Sequence, residues 1–488
     1  MNAPLPDTAT LRARLSAILP ADAVLVDAED LRPYECDGLT AYRQVPRAVV
    51  LPRTEAELKA VLECCRSLRV PVVARGAGTG LSGGAMPHAE GVVVSLARFM
   101  KILEVNPKSR TARVQPGVRN LALSEAAAPF NLYYAPDPSS QIACTLGGNV
   151  AENSGGVHCL KYGLTVHNVL AVRAFVLSEE GVDEVVFGSG APDAPGLDLL
   201  AAINGSEGML AVAVEITVKL TPKPEIAQVV MASFDSVTVA GDAVARIIAA
   251  GIIPAGLEMM DKRAIAAVEP FAKAGYDMGA AAILLCESDG TPEEVADEIA
   301  RVTAVLEKAG AHQIRVSQSE AERLKFWAGR KAAFPAVGRI TPDYLCMDGT
   351  IPRKRLGEML SAIEAMEKKY RLRCANVFHA GDGNLHPLIM YDANDADITA
   401  RALAFGAEIL ELSVALGGTI TGEHGVGIEK LAQMCVQFTP EELGAFMSFK
   451  RAFDPLGLLN PGKVVPTAAR CREYRQTGTG NHATETVQ

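Results

Sequence analysis

Arg75-Gly-Ala-Gly-Thr-Gly-Leu-Ser-Gly-Gly-Ala-Met-Pro87 follows the short apolar run Val70-Pro-Val-Val-Ala74 and carries five glycines in ten residues. Glycine frees the backbone to take positive φ angles and to lie close against a ligand, with successive N–H groups turned toward one anion. Such a loop reads as a phosphate cradle, with a merely flexible turn as the plainer alternative. Gly78, Gly80 and Gly83 fit G-x-G-x-x-G, but a Rossmann site needs that motif to open a helix whose N-terminus holds the pyrophosphate. Here Pro87 and Gly91 intervene, and the next element is the strand-like Val92-Val-Val-Ser-Leu96. Strand, glycine loop, strand is a different device, and a nicotinamide dehydrogenase lacks its context.

The chain around this loop has 488 residues, too many for one core, and 49% of them are hydrophobic, enough to bury a sizeable interior. A net charge of -10 argues against nucleic-acid binding, which needs a basic patch or stripe, and favours small metabolites as ligands. Ten cysteines are scattered without a C-x-x-C, so no disulfide framework, iron–sulfur run or zinc knuckle is expected. The N-terminus lacks the charged and apolar regions of a signal peptide, and no apolar run reaches the ~18 residues that span a bilayer. A cytoplasmic protein in a reducing compartment is expected.

Going outward from the loop, a helix is expected over Thr10 to Leu19, followed by an aperiodic stretch through Tyr34, Asp37 and Tyr42. Thr54-Glu-Ala-Glu57 forms a capping box for an amphipathic helix to Leu68. After the loop come short β-like runs, Val92 to Leu96, Ile102 to Val105 and Thr111 to Val114, then a helix from Val118 to Ala128. A second glycine-rich block runs from Pro136-Asp-Pro-Ser-Ser140 into Thr145-Leu-Gly-Gly-Asn-Val-Ala-Glu-Asn-Ser-Gly-Gly156. Its amides and hydroxyls beside accessible backbone suit a flat polar ring edge or a phosphate. A third block, Asn204-Gly-Ser-Glu-Gly208, precedes a strand from Ala211 to Leu220.

These three blocks in this order resemble the FAD-binding domain of the vanillyl-alcohol-oxidase superfamily. The resemblance implies that Arg75, Gly76, Gly78, Thr79, Gly80, Leu81, Ser82, Gly83 and Gly84 cradle the FAD pyrophosphate. It places Pro136, Asp137, Ser139, Ser140, Thr145, Gly148, Asn149, Ser154, Gly156, Glu207 and Gly208 along the rest of the cofactor, with Asn460 from the C-terminal region. Some relatives tether the flavin to a histidine soon after the loop arginine; Thr79 stands near that place, so a non-covalent FAD is expected.

Thr221-Pro-Lys-Pro224 breaks the pattern and marks a domain boundary. Beyond it, strand Ala227 to Phe234, helix Val237 to Ala250, strands Ala255 to Met259 and Ala281 to Cys286, helix Pro292 to Lys308 and strand Gln313 to Val316 spell β-α-β-β-α-β, a ferredoxin-like unit. A charged helix from Ser319 to Ala333 puts Trp327 and Arg330 on one face, either an ordinary exposed face or a carboxylate-binding one. His379 and His386 flank the turn of a hairpin, where cross-strand neighbours come within ~5 Å and can share a metal. Glu423 and His424 in Thr419-Ile-Thr-Gly-Glu-His-Gly-Val-Gly427 add a carboxylate and a third imidazole. Two His and one Glu suit zinc or another divalent transition ion, and a metal hydrolase without flavin would use the same cluster.

Together with Met347-Asp-Gly-Thr-Ile-Pro352 and Asn460-Pro-Gly-Lys463, these motifs resemble the FAD-linked D-2-hydroxyacid dehydrogenases, among them the FAD-binding subunits of bacterial glycolate oxidases. The resemblance implies an α+β chain. A two-part FAD-binding domain would occupy residues 1–224 (core about 47–222), a ferredoxin-like substrate and metal domain 225–466, and a tail 467–488, with a helical C-terminal segment. It implies His379, His386 and Glu423 as metal ligands, His424 as base and Arg330 as the anchor of the substrate carboxylate. Relatives acting on D-2-hydroxyglutarate carry a lysine where this chain has Cys346, which favours a small acid such as glycolate or D-lactate. An iron–sulfur subunit and a second FAD-binding subunit are the implied partners, through which the chain would sit at the inner face of the membrane. A non-catalytic FAD-bearing subunit is the rival reading.

Overall fold

The computed structural model describes residues 5–189 and 196–477. The chain forms two compact units. The first combines the chain up to Ser154, Leu164–Pro222 and the segment from Glu423 onward; the second combines Gly155–Gly163 with Lys223–Gly422. After the excursion over Gly155–Gly163, the chain leaves the first unit between Pro222 and Lys223. It returns to that unit after Gly422.

The first unit holds two main sheets. Strands β1 (Val24–Leu25), β2 (Ala48–Val50), β3 (Val72–Arg75) and β4 (Val92–Ser95) lie in the order β1-β2-β4-β3, with β2 and β3 both parallel to β4. All of β4 is buried, as expected of a strand covered on both faces. Val92 and Val94 pack with Leu58, Val61 and Leu62 of the helix Glu55–Ser67, while Val93 joins Val49, Val73 and Leu31 on the other face. Thr54 caps that helix by accepting from Glu57 N–H at 3.1 Å. The Glu57 carboxylate reaches one residue farther back than a capping box requires, to Arg53 N–H at 2.6 Å. The N-terminal helix spans Thr8–Ser16. The glycine loop and the four residues after it, 88–91, are therefore the whole connection between the neighbouring parallel strands β3 and β4, where a helix is the usual crossover.

Strands β5 (Ile102–Asn106), β6 (Thr111–Val114), β8 (Val169–Leu177), β9 (Val182–Gly188) and β10 (Val212–Lys219) form an antiparallel sheet in the order β5-β6-β10-β8-β9, and the short β7 (Leu132–Tyr133) pairs with β11 (Thr221–Pro222). In the second unit, β12 (Ile226–Phe234), β13 (Gly256–Asp261), β14 (Ala282–Gly290), β15 (Gln313–Val316), β16 (Asp343–Cys346), β17 (Arg373–Phe378) and β18 (Pro387–Tyr391) make one seven-stranded sheet. Its order, β15-β12-β14-β13-β17-β18-β16, begins with the antiparallel arrangement expected of a ferredoxin-like core. The helix Lys262–Ala272 between β13 and β14 is absent from the sequence reading. It starts directly on the last residue of β13, with Asp261 as its N-cap, and Pro270 in its final turn reads as a breaker, so neither end carries a loop signal.

The returning segment supplies the helices Leu431–Gln437, Pro440–Phe453 and Ala468–Thr477 to the first unit. Cys435 and Cys471, with Cα atoms 5.3 Å apart, form a disulfide between the first and last of these. One bridge is not a framework of the kind the cysteine spacing argued against, and a pair 36 residues apart has no spacing signature. Leu458 and Leu459 run beside β3, with Val72 N–H donating to Leu458 O and Asn460 N–H to Val72 O, both at 2.8 Å. Buried Lys450 fixes this return, donating to Met209 O, Asp454 Oδ2 and Leu459 O at 2.8–2.9 Å, while Asp454 accepts the Leu458 and Leu459 amides. Removing one partner of a buried ion pair strands the other charge. Lys450→Met is expected to lower unfolding free energy by about 3–5 kcal/mol, read by denaturant titration; an unchanged midpoint would contradict this role.

Candidate functional site

In the first unit the glycine loop is stitched shut by chain segments remote in sequence. Arg75 ends β3, and its Nη1 donates to Cys36 O at 2.7 Å and Ala85 O at 3.4 Å, with the guanidinium 5.6 Å from the Tyr34 ring centroid. Asp37 accepts from Leu39 and Ala85 N–H, and Gly38 N–H donates to Gly80 O at 2.8 Å. The aperiodic stretch through Tyr34 and Asp37 is thus the loop's outer clamp. From the C-terminal side, Asn460 Nδ2 donates to Gly84 O and Glu207 O, and Lys463 Nζ donates to Gly84 O at 2.8 Å and to Met86 O. Ile428 and Glu429 N–H both donate to Ser82 O. A Cβ on Gly78 would fall 2.2 Å from Arg75 Nη2, so a side chain there would displace the guanidinium, and its φ of +70° favours glycine.

Glu207 sits at φ 50° and accepts Val426 and Gly427 N–H, each at 2.7 Å. Beside it lies Glu152, which sequence reasoning missed: a Cβ on Gly425 would lie 2.4 Å from Glu152 Oε2 and 2.8 Å from Glu207 Oε1. Burial, then the neighbouring Glu207 and Asp37 charges, push the Glu152 carboxyl well above the ordinary range. Burial also raises Asp37 and brings Lys463 down to about 7, against the pull of Asp37, Glu207 and Glu152.

The second block closes onto the first, since a Cβ on Gly76 would meet Thr145 Oγ1 at 2.3 Å. Thr145 caps the helix Leu146–Glu152 by accepting from Gly148 N–H. Asn149 is buried, its side chain engaged by Asn120 Nδ2 at 3.0 Å and by Ser154 Oγ at 3.3 Å, while Asn120 also donates to Pro136 O. Asp137 and Ser140 are half-buried and Ser139 is exposed. Gly208 has open space around it, and Thr79, Gly80 and Leu81 are half-buried. Gly156 alone of this set belongs to the second unit. Ser82 Oγ, Glu152 Oε2 and Asn460 Oδ1 are buried without a hydrogen-bond partner. Around a loop bare of side chains, such atoms fit the phosphates and hydroxyls of FAD.

In the second unit the register of β13 against β17 pairs Met259 with Phe378, and Glu258 and His379 are the residues next to that pair. Glu258 Oε1 accepts from His379 Nδ1 at 2.8 Å, and Oε2 accepts from Arg330 Nε at 2.8 Å and Nη2 at 2.7 Å. All three are buried. Burial alone would raise the Glu258 carboxyl; its interactions with His379 and Arg330 outweigh it and hold it below the usual range. The helix Glu320–Lys331 buries Trp327 and Arg330 together, so the exposed-face alternative is excluded. The His379 and His386 rings meet edge-on with centroids 4.9 Å apart. His386 Nε2 stands 3.5 Å from Asp348 Oδ1, a wholly buried carboxylate unnoticed among the sequence candidates. Asp348 Oδ2 accepts Thr421 Oγ1–H at 2.6 Å and Gly422 N–H at 3.0 Å. The chain therefore delivers Glu423 and His424 directly after a fixed amide; both are half-buried and open the returning segment of the first unit. Buried imidazoles with carboxylates behind them suit a divalent ion.

Two family models match: the FAD binding domain over residues 46–181 and the C-terminal domain of FAD linked oxidases over 223–464. The chain is 59% identical to glycolate oxidase subunit GlcD of Escherichia coli (strain K12), over 97% of this chain and 95% of that protein. It is 32% identical to a D-lactate dehydrogenase of Archaeoglobus fulgidus, covering 91% and 96%. The fold matches the crystal structure of p-cresol methylhydroxylase with a TM-score of 0.78 at 18% identity, over 93% of this chain and 96% of the other. No helix among the described residues is long and apolar enough to cross a membrane. The chain belongs to the FAD-linked oxidases and is a FAD-dependent oxidoreductase with the two-domain fold of the vanillyl-alcohol-oxidase and p-cresol-methylhydroxylase family.

Proposed function

We propose that this chain oxidises a small 2-hydroxy acid, glycolate or D-lactate, to the 2-oxo acid, and that it does so as one subunit of a complex. The observation that carries this is the buried pair His379 and His386 backed by Glu258, Arg330 and Asp348, in a FAD-dependent chain 59% identical to a glycolate oxidase subunit. When bound, FAD supplies the two-electron acceptor for the hydride of the substrate α-carbon. A divalent ion, zinc by donor type, held by His379, His386 and Glu423 would supply Lewis acidity toward the substrate's oxygens. Arg330 anchors the carboxylate with the N–H groups that Glu258 leaves over. His424 takes the hydroxyl proton, since an imidazole serves as a base near neutral pH. Cys346 in place of a cation disfavours D-2-hydroxyglutarate, because a second carboxylate would find no charge there.

This chain has no cysteine run to ligate an iron–sulfur cluster, and the GlcD relative is by name a subunit. Electrons from the flavin accordingly pass to an iron–sulfur subunit, with a second FAD-binding subunit in the same assembly, in the cytoplasm at the inner face of the membrane. Co-purification with an iron–sulfur protein is expected, and full turnover with a physiological acceptor by this chain alone would contradict it.

FAD is expected to be released into the supernatant on acid precipitation, and flavin that stays with the pellet would refute a non-covalent site. Gly78→Val should yield colourless protein, because its side chain drives Arg75 out of the clamp; retained yellow colour at parental occupancy would refute this. Chelation should halt flavin reduction while FAD stays bound and the melting temperature holds. His424→Ala should keep the metal and slow reduction by roughly 10²–10⁴-fold. Parental reduction rates in His424→Ala, or full activity without detectable metal, would overturn these roles.

A further inference from the structure

We infer that Glu258 is a positioning residue for the proposed metal-assisted oxidation, fixing the tautomer of His379 and the orientation of Arg330 through one carboxylate; the inference rests on that proposed chemistry. Glu258 and His379 each adjoin the paired residues Met259 and Phe378, and Gly381 N–H donates to Leu257 O at 2.9 Å, holding the hairpin turn at the same level. A carboxylate only accepts hydrogen bonds. Its 2.8 Å contact with His379 Nδ1 therefore puts the imidazole proton on that nitrogen and leaves Nε2 with the lone pair that a metal requires. The second oxygen takes the Nε and Nη2 edge of Arg330. Of the five guanidinium donors, those on this edge are spent, and the remaining ones lie in the same plane on its far side. One side chain thus sets the direction of both the imidazole lone pair and the cationic edge offered to a carboxylate.

Glutamine has nearly the same shape but replaces one acceptor oxygen by an N–H₂ donor. In Glu258→Gln either His379 Nδ1–H or the Arg330 edge must face a donor, so His379 shifts its proton to Nε2 or Arg330 turns away. Aspartate keeps both acceptors on a shorter stem.

The test uses the full-length FAD-loaded protein, ¹⁵N-labelled at its eight histidines, with His379 assigned by the signal that His379→Asn removes. Without added metal, parental His379 is expected as the Nδ1–H form. Glu258→Gln should lose that signature or raise the KM for glycolate at least tenfold. It should also weaken Zn²⁺ binding, measured by chelator competition, by roughly 10–100-fold, with flavin content unchanged. Glu258→Asp should recover the Nδ1–H form and most of the affinity. Parental tautomer, KM and Zn²⁺ affinity in Glu258→Gln would overturn the inference. Should Glu258→Gln fail to retain FAD, Glu258→Asp decides: the Nδ1–H form kept supports the role, and an Nε2–H form refutes it. A parent that binds no Zn²⁺ would refute the proposed metal, and the tautomer comparison would still judge Glu258.

Discussion

A loop almost without side chains cannot hold its own shape, and the first unit is built around meeting that need. Residues 76–91 connect two parallel strands where a helix is the usual crossover, so their backbone groups must be satisfied from outside. Arg75 and Asp37 hold one side, and Asn460 and Lys463 hold the other. Lys463 is a buried amine whose hydrogen bonds end on the carbonyls of Gly84 and Met86. Keeping it there requires the return of the chain after Gly422, and that return is itself secured by Lys450 and Asp454. Val464, next to Lys463, takes φ 62°, an unusual conformation for a β-branched residue. Strain of this kind persists only where the surroundings over-determine it, as they do here.

The second unit solves a different problem, the burial of charge. Arg330, Glu258, His379, His386 and Asp348 are all buried, which is tolerable only because each charge faces an opposite one or a donor. Extension of the ferredoxin-like strands by β17 and β18 is what brings the two histidines to Glu258. The strand order thus links an ordinary fold to a specialised hairpin.

Much of this was legible in the sequence because local chemistry announces it. The glycine loop, the capped helix Glu55–Ser67, the strand and helix alternation after Pro224 and the hairpin histidines all carry a period, a cap or a turn signal. The remainder depends on contacts between residues far apart in the chain. Asp37 lies in an aperiodic stretch, and Glu152 closes a short helix that looks like any other. Glu258 and Asp348 sit in apolar runs, so each is an unremarkable acid until the sheet register shows what it faces. The helix Lys262–Ala272 was hidden by beginning without a loop, and the Cys435–Cys471 bridge by its separation.

The proposed function requires that this chain itself remove a hydride from a small 2-hydroxy acid. The most direct measurement is the absorbance of its bound flavin under anaerobic conditions on addition of glycolate, D-lactate, L-lactate and D-2-hydroxyglutarate. Glycolate or D-lactate is expected to bleach the flavin, and L-lactate and D-2-hydroxyglutarate to do so far more slowly. Flavin that stays oxidised with every one of these acids, in protein that dithionite reduces normally, would make the chain a FAD carrier and contradict the account.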